Sequence, residues 1–154
     1  MQEILLIPFS PKIHIGLLEK WLTNKELMDG WGMPPFKKEE VIPWTEDPTR
    51  VILMVKDEKK GHIVGFVNFY EWDKGKAIAS RGTLIDPVYQ NQGFGKASIE
   101  ESNKYAFEEM GLKRIELYVE ADNKKSRHVT EKLGYILDRF DPIKQKYYYY
   151  MDRK

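Results

Sequence analysis

The sequence predicts an α/β fold, a sheet with helices on both faces, and three observations carry that prediction. Apolar runs of alternating or β-branched character recur along the chain, as at residues 51–55, 62–70 and 114–120. Stretches with apolar residues at helical spacing fall between them, as at Ile13, Leu17, Leu18, Trp21 and Leu22. A polar turn with two glycines, Tyr89-Gln90-Asn91-Gln92-Gly93-Phe94-Gly95-Lys96-Ala97, then joins a strand-like run to a helix-like one.

Residues 1–9, MQEILLIPF, give a first strand, because the apolar run is too short for a signal sequence or a membrane span. A cytoplasmic location is therefore expected. Ser10-Pro11 then starts an amphipathic helix, Ser10 as its cap and Pro11 in the first turn, where the missing N–H is tolerated. Residues 23–50 strand Trp31, Phe36 and Trp44 among glycines and prolines, which predicts irregular structure with one or two short helices. Asp57-Glu58-Lys59-Lys60-Gly61 and Asp73-Lys74-Gly75-Lys76 are turns, so strands at 51–55, 62–70 and 77–85 form a meander. Pro87 ends the last of these, since it has no N–H for a ladder and biases Asp86 toward extended backbone.

Beyond the glycine turn a helix runs from Lys96 to Met110 and stops at Gly111; its small residues Gly95, Ser98 and Ser102 suit close approach to a sheet. Residues 114–120 set Ile115, Leu117 and Val119 against Glu116, Tyr118 and Glu120, one apolar and one polar face. Asp122 or Asn123 caps a short helix closed by Gly134, and residues 135–140 and 146–151 complete a terminal hairpin.

Composition narrows the function. The 154 residues fit one domain, 1–154, with a single core. With 25 basic and 24 acidic residues there is no global field to draw nucleic acid or an anionic membrane. The absence of cysteine removes disulfides, thiolate metal sites and a sulfur nucleophile. His14, His62 and His128 lie far apart with no ligand spacing, so no metal is expected.

Gly93 and Gly95 leave the backbone bare at a helix start, where consecutive N–H groups and the positive end of the helix dipole favour an anion such as a pyrophosphate. The spacing is that of neither a P-loop nor a dinucleotide fingerprint. Two glycines at such a junction can also simply make a tight turn.

The downstream segment makes the motif specific. Gln90-x-x-Gly93-x-Gly95, a strand, Asn123-x-x-Ser126 and Glu131-Lys132-Leu133-Gly134-Tyr135 resemble the GNAT superfamily of acetyl-CoA-dependent N-acetyltransferases, over about residues 80 to 140. Trp21-Leu22 and the tryptophan segment look most like the branch of aminoglycoside 6′-N-acetyltransferases and ribosomal-protein N-terminal acetyltransferases. The resemblance implies a mixed, mostly antiparallel central sheet of six to seven strands with helices on both faces. It also implies direct acetyl transfer from acetyl-CoA to a primary amine, of a polyamine, an aminoglycoside-like molecule or a peptide N-terminus.

The resemblance carries residue roles as well. The pantetheine arm lies along Leu84-Ile85-Asp86, with an N–H such as that of Ile85 facing the thioester carbonyl. N–H groups from Gln92 through Gly93, Phe94, Gly95 and Lys96 to Ala97 hold the pyrophosphate, Gln90 and Lys96 adding side chains. Asn123 and Ser126 border the same path, although Asn123 can equally be a plain helix cap. Where the family often carries a tyrosine that protonates sulfur, four residues before Gly134, this chain has Thr130, a poor acid, and Tyr118 is one substitute. Glu71, Asp73, Glu116 and Glu120 are candidate bases, against the ordinary reading of solvated strand carboxylates. Trp31, Phe36 and Trp44 wall the acceptor pocket or merely pack short helices, and Asp29, Glu39 and Glu40 could meet a cationic amine. The alternative function is an acyl-CoA-binding module without turnover, and a homodimer is a further expectation.

Overall fold

The computed structural model describes residues 2–154; Met1, placed by the sequence in the first strand, lies outside the described residues. Seven strands form one sheet: β1 (Ile4–Pro8), β2 (Val51–Asp57), β3 (Ile63–Asp73), β4 (Ile78–Ile85), β5 (Arg114–Glu120), β6 (Ile136–Asp141) and β7 (Lys146–Asp152). Their order is β1-β2-β3-β4-β5-β7-β6, antiparallel throughout except for the β4–β5 pair. The helices are α1 (Pro11–Leu22), α2 (Lys25–Trp31), α3 (Lys38–Thr45), α4 (Phe94–Glu108) and α5 (Lys124–Lys132).

Two apolar layers explain this arrangement. On one face, Leu18, Trp21 and Leu22 of α1, Met28 of α2 and Val41 of α3 cover Ile52, Met54, Phe66 and Leu84. On the other, Phe94, Ala97 and Ala106 of α4 cover Leu53, Val55, Val67, Phe69, Ala79 and Ile115. β2 is apolar along most of its length because both of its faces are covered. Each fully buried leucine or phenylalanine contributes about 2 kcal/mol by leaving water.

The segment predicted as irregular with one or two short helices keeps that character, and the structure sets the bounds of its helices. It holds two defined helices, α2 capped by the Asn24 side chain on the Leu27 N–H (2.9 Å) and ended by Gly32 at φ 84°. α3 starts where the Glu40 carboxylate accepts the Lys37 N–H (2.8 Å) and keeps Pro43 in its interior. Short helices with prolines have too few turns to show a 3.6-residue period. α4 begins two residues earlier than predicted, at Phe94, and β3 runs on to Asp73 through a bulge between Tyr70 and Asp73 that sets Glu71 at φ 52°. Ser10 is the N-cap residue of α1, but its hydroxyl makes no cap; instead its N–H donates to Nδ1 of the buried His14 (2.9 Å).

The feature that positions a site is the β4–β5 junction. The parallel ladder pairs only Ile78, Ala79 and Ser80 with Arg114, Ile115 and Glu116, although β4 continues to Ile85 and β5 to Glu120. Beyond Ser80 the two strands splay apart and leave one edge of β4 without a neighbour.

Candidate active site

The splay opens into a cavity of about 370 Å³ that passes through the sheet. Trp31, Trp44, Arg50, Asn68 and Tyr70 line one end, Ile99, Asn123, Ser126 and Thr130 the other. Thr83, Leu117, Tyr118 and Glu120 line the walls between.

Strand alternation decides which β4 groups face it. The Asp86 N–H donates to the Val64 carbonyl of β3 (2.8 Å), so Leu84 also points its backbone groups to β3 while Thr83 and Ile85 point theirs away. The two outward carbonyls are taken by side chains: Trp31 Nε1 donates to Thr83 O (3.0 Å) and Gln90 Nε2 to Ile85 O (3.0 Å). The Ile85 N–H is left on the open edge. The Thr83 hydroxyl is buried beside it and has no hydrogen-bond partner among the described residues. An orphaned buried hydroxyl of this kind calls for a ligand group.

At the end of β4 the turn of residues 90–93 leads into α4. Asn91 (φ 61°) and Gly93 (φ 91°) both adopt the left-handed region, which aims successive N–H groups to one side as in an anion nest. The first backbone bond of the helix runs from the Ala97 N–H to Gly93 O (3.2 Å). Among the described residues the N–H groups of Asn91, Gln92, Gly93, Phe94, Gly95 and Lys96 have no protein acceptor. The free set is thus shifted by one from the predicted run of Gln92 to Ala97, because Ala97 is already inside the helix ladder. A Cβ at Gly95 would meet only Ile85 Cγ1, at 3.9 Å, so the space above this glycine is open. Lys59, from the β2–β3 turn, joins Lys96, Gln2 and Gln92 around Gly93 in a shallow basin, and Lys125 donates to Asn91 Oδ1 (3.3 Å). Sequence reasoning missed Lys59 because only the fold brings it there.

Other predicted residues are engaged elsewhere. The Asp86 carboxylate is buried, accepting Trp21 Nε1 (2.9 Å) and the Val88 N–H (2.9 Å), with Lys20 Nζ at 3.8 Å. It anchors α1 to the end of β4 rather than facing the opening. Leu84 is buried under α1 and α2. Phe94 packs edge-on against Tyr89, with ring centroids 6.1 Å apart. Gln90 and Gln92 use their side chains to latch the turn, on Ile85 O and Val88 O. Lys96 is exposed and 4.0 Å from Glu100. Asn123 Oδ1 caps α5 through the Ser126 N–H (3.0 Å), and both residues still line the cavity. Phe36 packs edge-on against Trp44 (5.6 Å) outside the lining, whereas Trp31 and Trp44 belong to it.

Of the candidate bases, Glu120 lines the cavity but lies 3.6 Å from Lys146 Nζ. Glu116 accepts the Tyr148 hydroxyl (3.1 Å), and neither it nor Glu71 is in the lining. Burial, with the fields of Glu116, Asp141 and Glu71, raises the Tyr118 pKa, so its hydroxyl stays protonated; it has no acceptor among the described residues. Tyr70, which sequence reasoning did not single out, is pushed up to about 12, first by burial and then by Glu71. Asp29 and Glu39 are exposed, and Glu40 is used in capping α3. No helix among the described residues is long and apolar enough to cross a membrane.

A bare-amide turn, an open strand edge and an orphaned hydroxyl along one path fit a cofactor with a diphosphate and an extended amide-bearing arm. Comparison with known proteins points the same way. A family model described as "Acetyltransferase (GNAT) family" matches residues 18–135, a wider span than the motifs alone. The "Uncharacterized N-acetyltransferase YnaD" of Bacillus subtilis (strain 168) is 34% identical over 84 residues, 54% of this chain and 46% of that protein. The "Putative ribosomal N-acetyltransferase YdaF" of the same organism is 29% identical over 76 residues, 49% of this chain and 42% of that protein. The chain spans less than half the length of these curated relatives. Among solved structures, a spermidine N-acetyltransferase from Vibrio cholerae, in complex with CoA and spermine, superposes with a TM-score of 0.86 over 97% of this chain and 95% of that one. At 20% identity that likeness is one of fold.

Proposed function

Since the chain belongs to the GNAT acetyltransferase family, we propose that it is an acetyl-CoA-dependent N-acetyltransferase acting directly on a primary amine. The observation that carries this is the run of six unpartnered N–H groups from Asn91 to Lys96, continuous with the open edge of β4. These amides and the dipole of α4 hold the diphosphate of coenzyme A, with Lys59 and Lys96 at the rim. The outward N–H groups of Thr83 and Ile85 would hold the pantetheine arm, with Asn123 and Ser126 bordering the same path. Acetyl-CoA supplies an acetyl group already activated as a thioester.

The Ile85 N–H faces the carbonyl oxygen and stabilises the charge that develops there. Tyr118, protonated and lining the cavity, takes the part of the acid that Thr130 cannot, donating its proton toward the sulfur. Thr130 is buried in the cavity wall, too short to replace a phenol. With Glu71 and Glu116 outside the lining and Glu120 beside Lys146, the amine gives up its proton to water. A cytoplasmic location and a homodimer, for which the exposed edge strand β6 offers a surface, belong to the same reading.

The rival is a module that binds acyl-CoA without turnover, and Thr130 in place of the family's tyrosine is its one support. Thiol release over a panel of amines, paired with calorimetric titration of CoA, separates them. Turnover on any amine supports the enzyme, tight binding with none supports the module, and no binding at all ends both.

A further inference from the structure

The acceptor end of the cavity carries a charge that acetyl transfer does not use. Arg50 precedes β2, its side chain is 12% exposed, and it lines the cavity. Its Nε donates to Trp44 O (2.9 Å) and one of its terminal nitrogens to Asn68 Oδ1 (2.9 Å). The guanidinium lies over the Trp44 ring, 4.1 Å from the centroid, with the Tyr70 ring at 6.0 Å. Asp47 Oδ2 lies 3.9 Å from the other terminal nitrogen, a long ion pair with a half-exposed carboxylate and no hydrogen bond. The other oxygen of Asp47 is fixed by the N–H and hydroxyl of Thr49, both at 2.8 Å. Among the described residues, therefore, two of the five N–H donors have acceptors and the others do not.

The remaining charges nearby do not complete the pair. Glu71 acts on Arg50 through its field only and stands outside the lining. Glu120 is matched to Lys146, and Arg81 turns to Asn103 Oδ1 and the Tyr135 ring. The lining thus holds three cations, Arg50, Arg81 and Lys146, and a single carboxylate, Glu120, which is already paired. A half-buried guanidinium whose one ion pair is long and whose other donors are open is poorly satisfied, and burial lowers its pKa accordingly. A polycationic amine would add like charge here. A planar carboxylate would meet the fork of a guanidinium in the geometry it favours.

We infer that Arg50 receives a carboxylate of the acceptor, so that the preferred substrate is an amino-acid-like amine with its carboxylate within a few bonds of the nucleophilic nitrogen. This rests on the acetyl-transfer reading. The new N–C bond replaces the C–S bond, the amine proton leaves to water and the sulfur regains one, while the acceptor's carboxylate stays unchanged on Arg50. The cavity of about 370 Å³ is shared with the thioester end, so the part of the acceptor that enters it is small.

The test is thiol release by the full chain with amino acids and short dipeptides, each compared with its carboxamide, and with spermidine as the polycation control. The free acids should exceed their amides in kcat/KM by at least about tenfold. In Arg50→Gln that ratio should fall to about one with CoA affinity unchanged, and Arg50→Lys should recover part of it. Amides or spermidine equal to the acids in the wild type, or a ratio unmoved by Arg50→Gln, would overturn the inference; the wild-type comparison needs no variant to fold. Tryptophan fluorescence titrated with N-acetylglycine and with its amide gives a second readout, through Trp31 and Trp44 in the lining, that does not need turnover. Carboxylate-dependent binding lost in Arg50→Gln upholds the Arg50 site even if no amine is acetylated, and equal response to acid and amide refutes it even if amines are.

Discussion

The two ends of the cavity are made from different material. The cofactor end presents main-chain N–H groups from one unbroken stretch, residues 91–96, held in place by two left-handed residues and the start of α4. The acceptor end presents side chains of α2, α3 and β3, and of Arg50 just before β2, positions up to about forty residues apart in sequence. A backbone-built site tolerates changes in side chains but not in glycines. A side-chain-built site is open to retuning one residue at a time, which suits a fold that keeps one cofactor and varies its acceptor.

The sharpest way to break this contrast is Gly93→Asp. It puts a carboxylate and a Cβ where the amides point, so CoA affinity by calorimetry should drop at least about 100-fold, while acceptor-end binding is untouched. Gly93→Ala separates out the strain of the left-handed backbone, about 1 kcal/mol of stability. Wild-type affinity in Gly93→Asp would remove the diphosphate from this turn. Next in size is Trp21→Phe, which takes the indole donor from the buried Asp86 and should lower unfolding free energy by about 2 kcal/mol in denaturant titration. A loss below about 0.5 kcal/mol would mean that the α1 anchor does not hold the end of β4.

Gly95→Ala sharpens the comparison more gently. Its Cβ meets nothing closer than 3.9 Å within the protein, so the melting temperature should hold while CoA affinity weakens about tenfold. Unchanged affinity would show that no ligand approaches this glycine. The smallest effect lies at the acceptor end and in alkali. An unfolded tyrosine ionises near 10 and folded Tyr70 at about 12, so the folded chain holds that proton more tightly. Its contribution is complete below pH 10 and is lost as pH rises through 12, about 1 kcal/mol by pH 11. Tyr70→Phe should flatten the fall of stability over this window; an identical alkaline profile would place Tyr70 in water.

How much was legible obeys the same division. Glycine and proline punctuate a chain locally, so Pro87, Gly93, Gly111 and Gly134 marked boundaries that the structure keeps within a residue or two. The strand of Ile115, Leu117 and Val119 showed its period because one face is buried and the other is not. The segment of Trp31, Phe36 and Trp44 showed that one or two short helices were there but not their bounds, since helices of seven and eight residues are too short for a period to emerge. The resemblance set the pantetheine arm along the backbone of Leu84-Ile85-Asp86, and only the fold shows that the Asp86 side chain holds Trp21 from 65 positions away.

What the sequence determined by itself was the alternation of strands and helices and the bare turn before α4, because backbone freedom and side-chain periodicity act between near neighbours. Only the tertiary structure decided where β4 parts from β5, that Lys59 reaches the mouth of α4, and that Arg50 lies half-buried over Trp44 with donors to spare. Those outcomes depend on which surfaces meet across long loops, and packing over such distances leaves no local trace in the order of residues.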